Sequence, residues 1–350
     1  MAFSFMLLWI LLTWHQLETH LCFAQCTSET FSICYVDIAN MTSNGESRLR
    51  NAFTTRKQVS VNKMIVRNSA SGPFLHRFNN LLDSVVYHNY REAIFHLPNG
   101  STITEITVWR APAMRAFVAG SNAHLKVLSI AHCSLARIPI TLPQLTTLKS
   151  LSIGDCKLTS FKLDMVLANQ MLTTLNMCCN EIRQLVRESP QPHSLKILPN
   201  LEYFILYKNK LTQLDLSYFE SYPNLTNIDI SNNQITTVRT SSPVRLSVVH
   251  LNLMQNQLTT FNITGCIMPN ITSLLLTGNP LTVIPPVFDN YPNMHLVMSW
   301  NTLICETLLP LKEQILSSKL KIQSVHASQC TSGHFYLSLK KMQECCGQSL

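Results

Sequence analysis

Nine glycines in 350 residues leave little material for a glycine-rich phosphate loop, and neither a P-loop nor a GxSxG elbow occurs. The twelve histidines are scattered, and none forms an HExxH or similar ligand pair. These absences predict no catalytic residues, no metal site, no cofactor and no enzyme activity. Charge is sparse as well, at 13% of residues with a net +8. Lys and Arg are spread along the chain rather than gathered in runs, which excludes nucleic acid as an expected partner. The mild positive excess implies solubility and some attraction to acidic surfaces. Long apolar runs are missing beyond residues 6–12, and that run is too short to span a bilayer. No hydrophobic tail suggests a lipid anchor, so no membrane span is expected.

What the N-terminus does have is a secretory pattern. An apolar run is followed by Cys22-Phe23-Ala24, with small residues where a signal peptidase reads, although a charged n-region is lacking. Residues 1–24 are therefore expected to be a signal peptide and the mature chain to start near Gln25, outside the cell. Five glycosylation sequons agree, at Asn40, Asn99, Asn224, Asn262 and Asn270. An oxidising compartment permits disulfides.

The chain repeats itself. Leu125, Leu128, Ile130, Cys133, Leu135 and Ile138 set a pattern that recurs from Leu148, Leu172, Leu201, Leu225, Val248 and Ile271. Successive starts lie 23, 24, 29, 24, 23 and 23 residues apart. Positions four and six of each copy share one face of a short strand, which points into a core. Position nine is Asn or Cys, where a side chain can satisfy backbone groups freed by the turn. One copy cannot bury its leucines alone, whereas stacked copies bury a continuous core and pair their strands in parallel. The expected fold is an α/β leucine-rich repeat solenoid, a horseshoe with a parallel concave sheet and disulfide-stapled caps.

Weaker copies begin near Val61, Leu82 and Ile103, and Leu296, Met298, Asn301 and Leu303 suggest a last one. The repeats are thus expected over 61–304, behind an N-terminal cap over 25–60. Pro190 and Pro192 in the longest interval place an outward loop near 188–198. A C-terminal cap over 305–350 is expected to contain an amphipathic helix over 306–323.

Without Cys22, eleven cysteines remain, so at least one is free or joined to another chain. Cys26 and Cys34 are placed to staple one cap, and Cys305 and Cys330 the other. Cys133 and Cys156, at position nine, are expected to be buried thiols. Parallel strands about 4.8 Å apart hold their Cβ atoms poorly for an unstrained bridge. Cys178 and Cys179 fall near the concave rim, where a bond to a neighbouring loop is conceivable, and Cys266 reads as a convex-side thiol. Cys345 and Cys346 leave two readings open. Both are tied back to Cys305 and Cys330, or one is tied back while the other bonds a partner chain.

Positions three, five, seven and eight of each copy face the concave side. They offer Trp109, Tyr203, Ile205, Tyr207, Lys208, Asp229, His250, Met254 and Trp300 as candidate binding residues. Exposed aromatics and Met on one face are typical of protein-binding surfaces.

The signal sequence, the repeats, the cysteine-closed last repeat and the double cysteine together resemble the mosquito leucine-rich repeat immune proteins. With no heptads after Cys346, the chain resembles the short, coil-less type. The resemblance implies haemolymph defence, an inter-chain disulfide at Cys345 or Cys346 forming a homo- or hetero-dimer, and a complement-like thioester protein as partner. The expected function is a secreted recognition or scaffold protein of innate immunity that binds a protein partner or a pathogen surface. A secreted matrix or adhesion protein of the same fold is the alternative.

Overall fold

A computed structural model describes residues 64–67, 75–77, 83–162, 165–186, 198–304, 307–322, 334–339 and 342–347. The expected signal peptide, the N-terminal cap with Cys26 and Cys34, the sequon at Asn40, the loop near 188–197 and Cys305 and Cys330 lie outside them. The contacts divide the chain into two compact units, 1–134 and 135–350.

In the first unit, β1 (Met64–Arg67), β2 (Ser84–His88), β3 (Glu105–Ala111) and β4 (Val127–Cys133) pair in parallel and in order. The weak copies are therefore genuine rungs. Val85 and Tyr87 of β2 are buried, as are Ile106 and Val108 of β3. An aromatic cluster of Tyr87, Tyr90, Phe95 and Phe117 fills the space behind the strands, with ring centroids 5.3–5.6 Å apart.

In the second unit, eight of the described strands lie side by side in one parallel sheet. They are β5 (Ser150–Gly154), β6 (Thr174–Asn176), β7 (Tyr203–Ile205), β8 (Asn227–Asp229), β9 (His250–Asn252), β10 (Ser273–Leu275), β11 (His295–Val297) and β12 (Leu320–Lys321). Residues at positions one, four and six of the seven clear copies are at most 7% exposed. Both units are thus leucine-rich repeat stacks whose spaced apolar residues form the core, as expected.

Two devices hold the stack. The first is an asparagine ladder at position nine. The Asn233 amide donates to Leu206 O, Ile230 O and Ser231 O, while its Oδ1 accepts the Leu211 N–H. Asn180, Asn209 and Asn256 repeat all four bonds one rung at a time. Asn279 and Asn301 continue the series. The second device is a left-handed residue at position eight. Asn89, Arg110, His132, Asp155, Cys179, Lys208, Asn232, Gln255 and Trp300 have φ of 50–58°, and Gly278 has 71°. None is β-branched, because that shape is costliest at positive φ. Asn232→Val is expected to lower the unfolding free energy by about 1–2 kcal/mol and Asn232→Gly to leave it nearly unchanged. Urea denaturation midpoints check this.

The left-handed residue also corrects the expectation for two cysteines. Cys133 and Cys156 are disulfide-bonded, not thiols. Cys133 closes β4 and Cys156 follows β5, but the left-handed His132 and Asp155 before them break the strand alternation, and both sulfur-bearing side chains are buried.

The C-terminal cap differs too. In place of a helix over 306–323 there is one short 3-10 turn (Leu309–Leu311), a five-residue α-helix (Lys312–Leu316) and β12. Leu308, Ile315 and Leu320 point inward. Leu296 and Met298 donate their N–H groups to Lys319 O and Lys321 O, both at 2.7 Å. A bare sheet edge needs such acceptors, and a helix laid on it would not supply them. Beyond it, β13 (His334–Leu339) and β14 (Met342–Gly347) form an antiparallel hairpin, in which Cys345 pairs with Tyr336 and Cys346 with Phe335.

Candidate binding face

Strand alternation puts positions three and five of each rung on the open face of the sheet, while position four enters the core. The pattern on β7 is exposed, buried, half-buried. In the second unit this face gathers most of the candidates. Tyr203 pairs across to Asn227 and Asn227 to His250, and Ile205 pairs to Asp229 and Asp229 to Asn252. Past the strands, Lys208 N–H donates to Ser231 O and Asn232 N–H to Met254 O. That continues the register, so Tyr207, Ser231 and Met254 lie side by side.

The result is relief on an otherwise low wall. Tyr203 is 42% exposed and Tyr207 36%. On one side stand the small residues Thr174, Asn176 and Cys178, and on the other Asn227, Asp229 and Ser231. The next rung carries His250, exposed, and Met254, half-buried. Lys208 and Gln255 are exposed at position eight. Trp300 belongs to the same unit, 69% exposed, on the rung of β11. Trp109 belongs to the first unit, where its ring packs edge-on against His132 with centroids 4.5 Å apart.

Position five has a task that sequence reasoning missed. Asp229 Oδ1 accepts the Ser231 N–H at 3.0 Å and the Ser231 hydroxyl at 2.6 Å. Asn176 and Asn252 do the same for the N–H of Cys178 and Met254, at 3.0 and 3.1 Å. An Asx side chain two residues before a turn N–H is the signal that could have revealed it.

Cys178 and Cys179 are free and half-buried. Gly154 faces Cys178, since a Cβ there would lie 3.4 Å from its sulfur. Burial first, then the neighbouring Cys179, pushes the Cys178 thiol up to about 11. Cys266, free and buried behind the sheet, is also pushed to about 11 by burial. Both are expected to alkylate slowly with iodoacetamide at pH 8 and faster as pH approaches 11, because the thiolate is the nucleophile. Mass-resolved labelling rates check this.

Four sequon asparagines, Asn99, Asn224, Asn262 and Asn270, are exposed. The Asn224 amide donates to Pro199 O at 2.6 Å, which leaves one N–H for a glycan linkage. Among the described residues no three His, Cys, Asp or Glu are grouped to hold a metal, and no helix is long and apolar enough to cross a membrane.

Comparison with known proteins agrees with the stack. The leucine rich repeat family model matches residues 199–258 and 223–281. The chain is 26% identical over 148 residues to mouse leucine-rich repeats and immunoglobulin-like domains protein 2, covering 41% of this chain and 13% of the relative. It therefore spans a small part of that protein's length. A leucine-rich repeat protein of Leptospira interrogans superposes with a TM-score of 0.51 at 17% identity, over 78% of this chain and 75% of the other. An internalin of Listeria monocytogenes gives 0.49 at 16% identity, over 85% and 88%. The chain carries leucine-rich repeats on a solenoid suited to binding protein partners.

Proposed function

We propose that this protein is a secreted recognition or scaffold protein of innate immunity that holds a protein partner on the open sheet face of the 135–350 unit. The observation that carries the reading is the exposed pair Tyr203 and Tyr207 on one rung, raised above smaller neighbours. Burying such aromatics offsets their solvent exposure only when a partner covers them. The apolar N-terminal run, the sequons on exposed asparagines and the disulfides at Cys133 and Cys156 support secretion. The resemblance to mosquito leucine-rich repeat immune proteins supports haemolymph and a complement-like thioester protein as partner, with a pathogen surface as the other target.

Two measurements test this. Tyr203→Ala with Tyr207→Ala is expected to reduce capture of protein from the native fluid at least tenfold with unchanged melting, since anchor residues carry about 2 kcal/mol or more each. Unchanged capture contradicts the binding face. The secreted chain is also expected to run as a dimer on electrophoresis without reductant and as a monomer with it, through Cys345 or Cys346. A monomer band that Cys345→Ser and Cys346→Ser leave unchanged contradicts the linkage. Constitutive deposition in tissue, in place of appearance in body fluid after infection, would favour the matrix reading.

A further inference from the structure

Resting on that reading, we infer that the recess over β8 is a seat for a cationic side chain, arginine above all, presented by the protein partner. The recess has a low floor of Asn227, Asp229 and Ser231. Tyr203 and Tyr207 stand on the rung to one side, His250 and Met254 on the rung to the other. Two strand spacings separate those rungs, about 9.6 Å, which admits one long side chain between them.

The charge on the floor is surplus to the fold. Asp229 closes its turn with the same bond that Asn176 and Asn252 make at the same position, within 0.1 Å. A neutral amide therefore satisfies the turn. Among the described residues no Lys, Arg or His forms an ion pair with Asp229, although the chain is basic overall. Lys208, at position eight of the neighbouring rung, does not pair with it either. A half-buried carboxylate left without a counter-ion on a partner-binding face is complementary to a cation brought by the partner.

The walls select arginine over lysine. A guanidinium plane stacks on a tyrosine ring and presents a fork of N–H groups to a carboxylate, whereas an ammonium is a compact, strongly hydrated point charge. The aliphatic stem of arginine lies against Met254 and Ile205.

The test uses the full secreted chain and two capped peptides, Ala-Ser-Arg-Ser-Ala and its citrulline counterpart, which keeps the shape and loses the charge. The arginine peptide is expected to bind about tenfold tighter, as a charge-assisted pair outweighs a neutral one. Asp229→Asn is expected to erase that preference while leaving the melting temperature unchanged. Equal binding of both peptides, no binding of either, or a preference that survives Asp229→Asn overturns the assignment. Parallel capture of protein from the native fluid separates the two readings. If it still depends on Tyr203 and Tyr207, the arginine seat falls alone; if it does not, the binding face falls as well.

Discussion

Asn233→Ala is expected to lower the unfolding free energy by about 2–4 kcal/mol. One side chain serves three carbonyls and one N–H, spread over two rungs, at 3.0–3.1 Å. Each carbonyl keeps a second donor, from Asn209, Asn256 or the Lys208 N–H, so the Leu211 N–H is the group left without a partner, at about 1–3 kcal/mol. The three lost donations and the emptied side-chain volume add the rest. Asn233→Asp is expected to be as damaging, because a carboxylate keeps the acceptor, loses every donation and buries a charge. Each rung contacts only its neighbours, so the loss is local at first. Amide exchange should speed up near residues 206–211 and 230–235 before it does near 274–279. Urea denaturation followed by circular dichroism measures the total, and a loss under 1 kcal/mol would remove the ladder as a main support.

Phe204→Ala is expected to cost about 3–5 kcal/mol, the range for emptying a buried aromatic site. Phe204 is fully buried on β7. Its ring lies 5.3 Å from Phe219, 6.0 Å from Phe161 and Tyr222, and 6.3 Å from Tyr218, mostly edge to face. Phe204→Leu keeps most of the volume and should cost much less. The site couples stability to binding. Phe204 stands between Tyr203 and Ile205 and anchors the strand that presents both. Phe204→Ala should therefore weaken partner capture as well as melting, whereas Phe261→Ala, two rungs away at position fourteen, should lower melting with capture intact.

Much of this was legible in the sequence. Leu128 and Ile130, two apart and repeated at near-constant spacing, dictate strands, and the strands dictate a stack. The faint copies at Leu82 and Ile103 obeyed the same rule, although their turn residues are less regular. The outward direction of Tyr203 and Tyr207 followed from the period of two. Other features depend on backbone geometry that no single residue announces. The left-handed position eight accepts Arg, His, Asp, Cys, Lys, Asn, Gln, Gly and Trp alike, so its only trace is the absence of β-branched side chains. Missing that turn led to Cys133 and Cys156 being expected as thiols. The helix expected over 306–323 failed on tertiary grounds: Ser318 turns left-handed and Leu320 joins the sheet edge, where unpaired N–H groups wait. The double duty of Asp229, in the turn and on the face, appears only when Asn176 and Asn252 are seen beside it in the same column.

The most direct measurement is amide hydrogen exchange on the secreted protein, alone and with the partner captured from its native fluid. Slower exchange confined to 203–208, 227–232 and 250–255 is the expected result. Protection at 213–215, 237–239 and 266–267, behind the sheet, with those segments unchanged, would contradict the account.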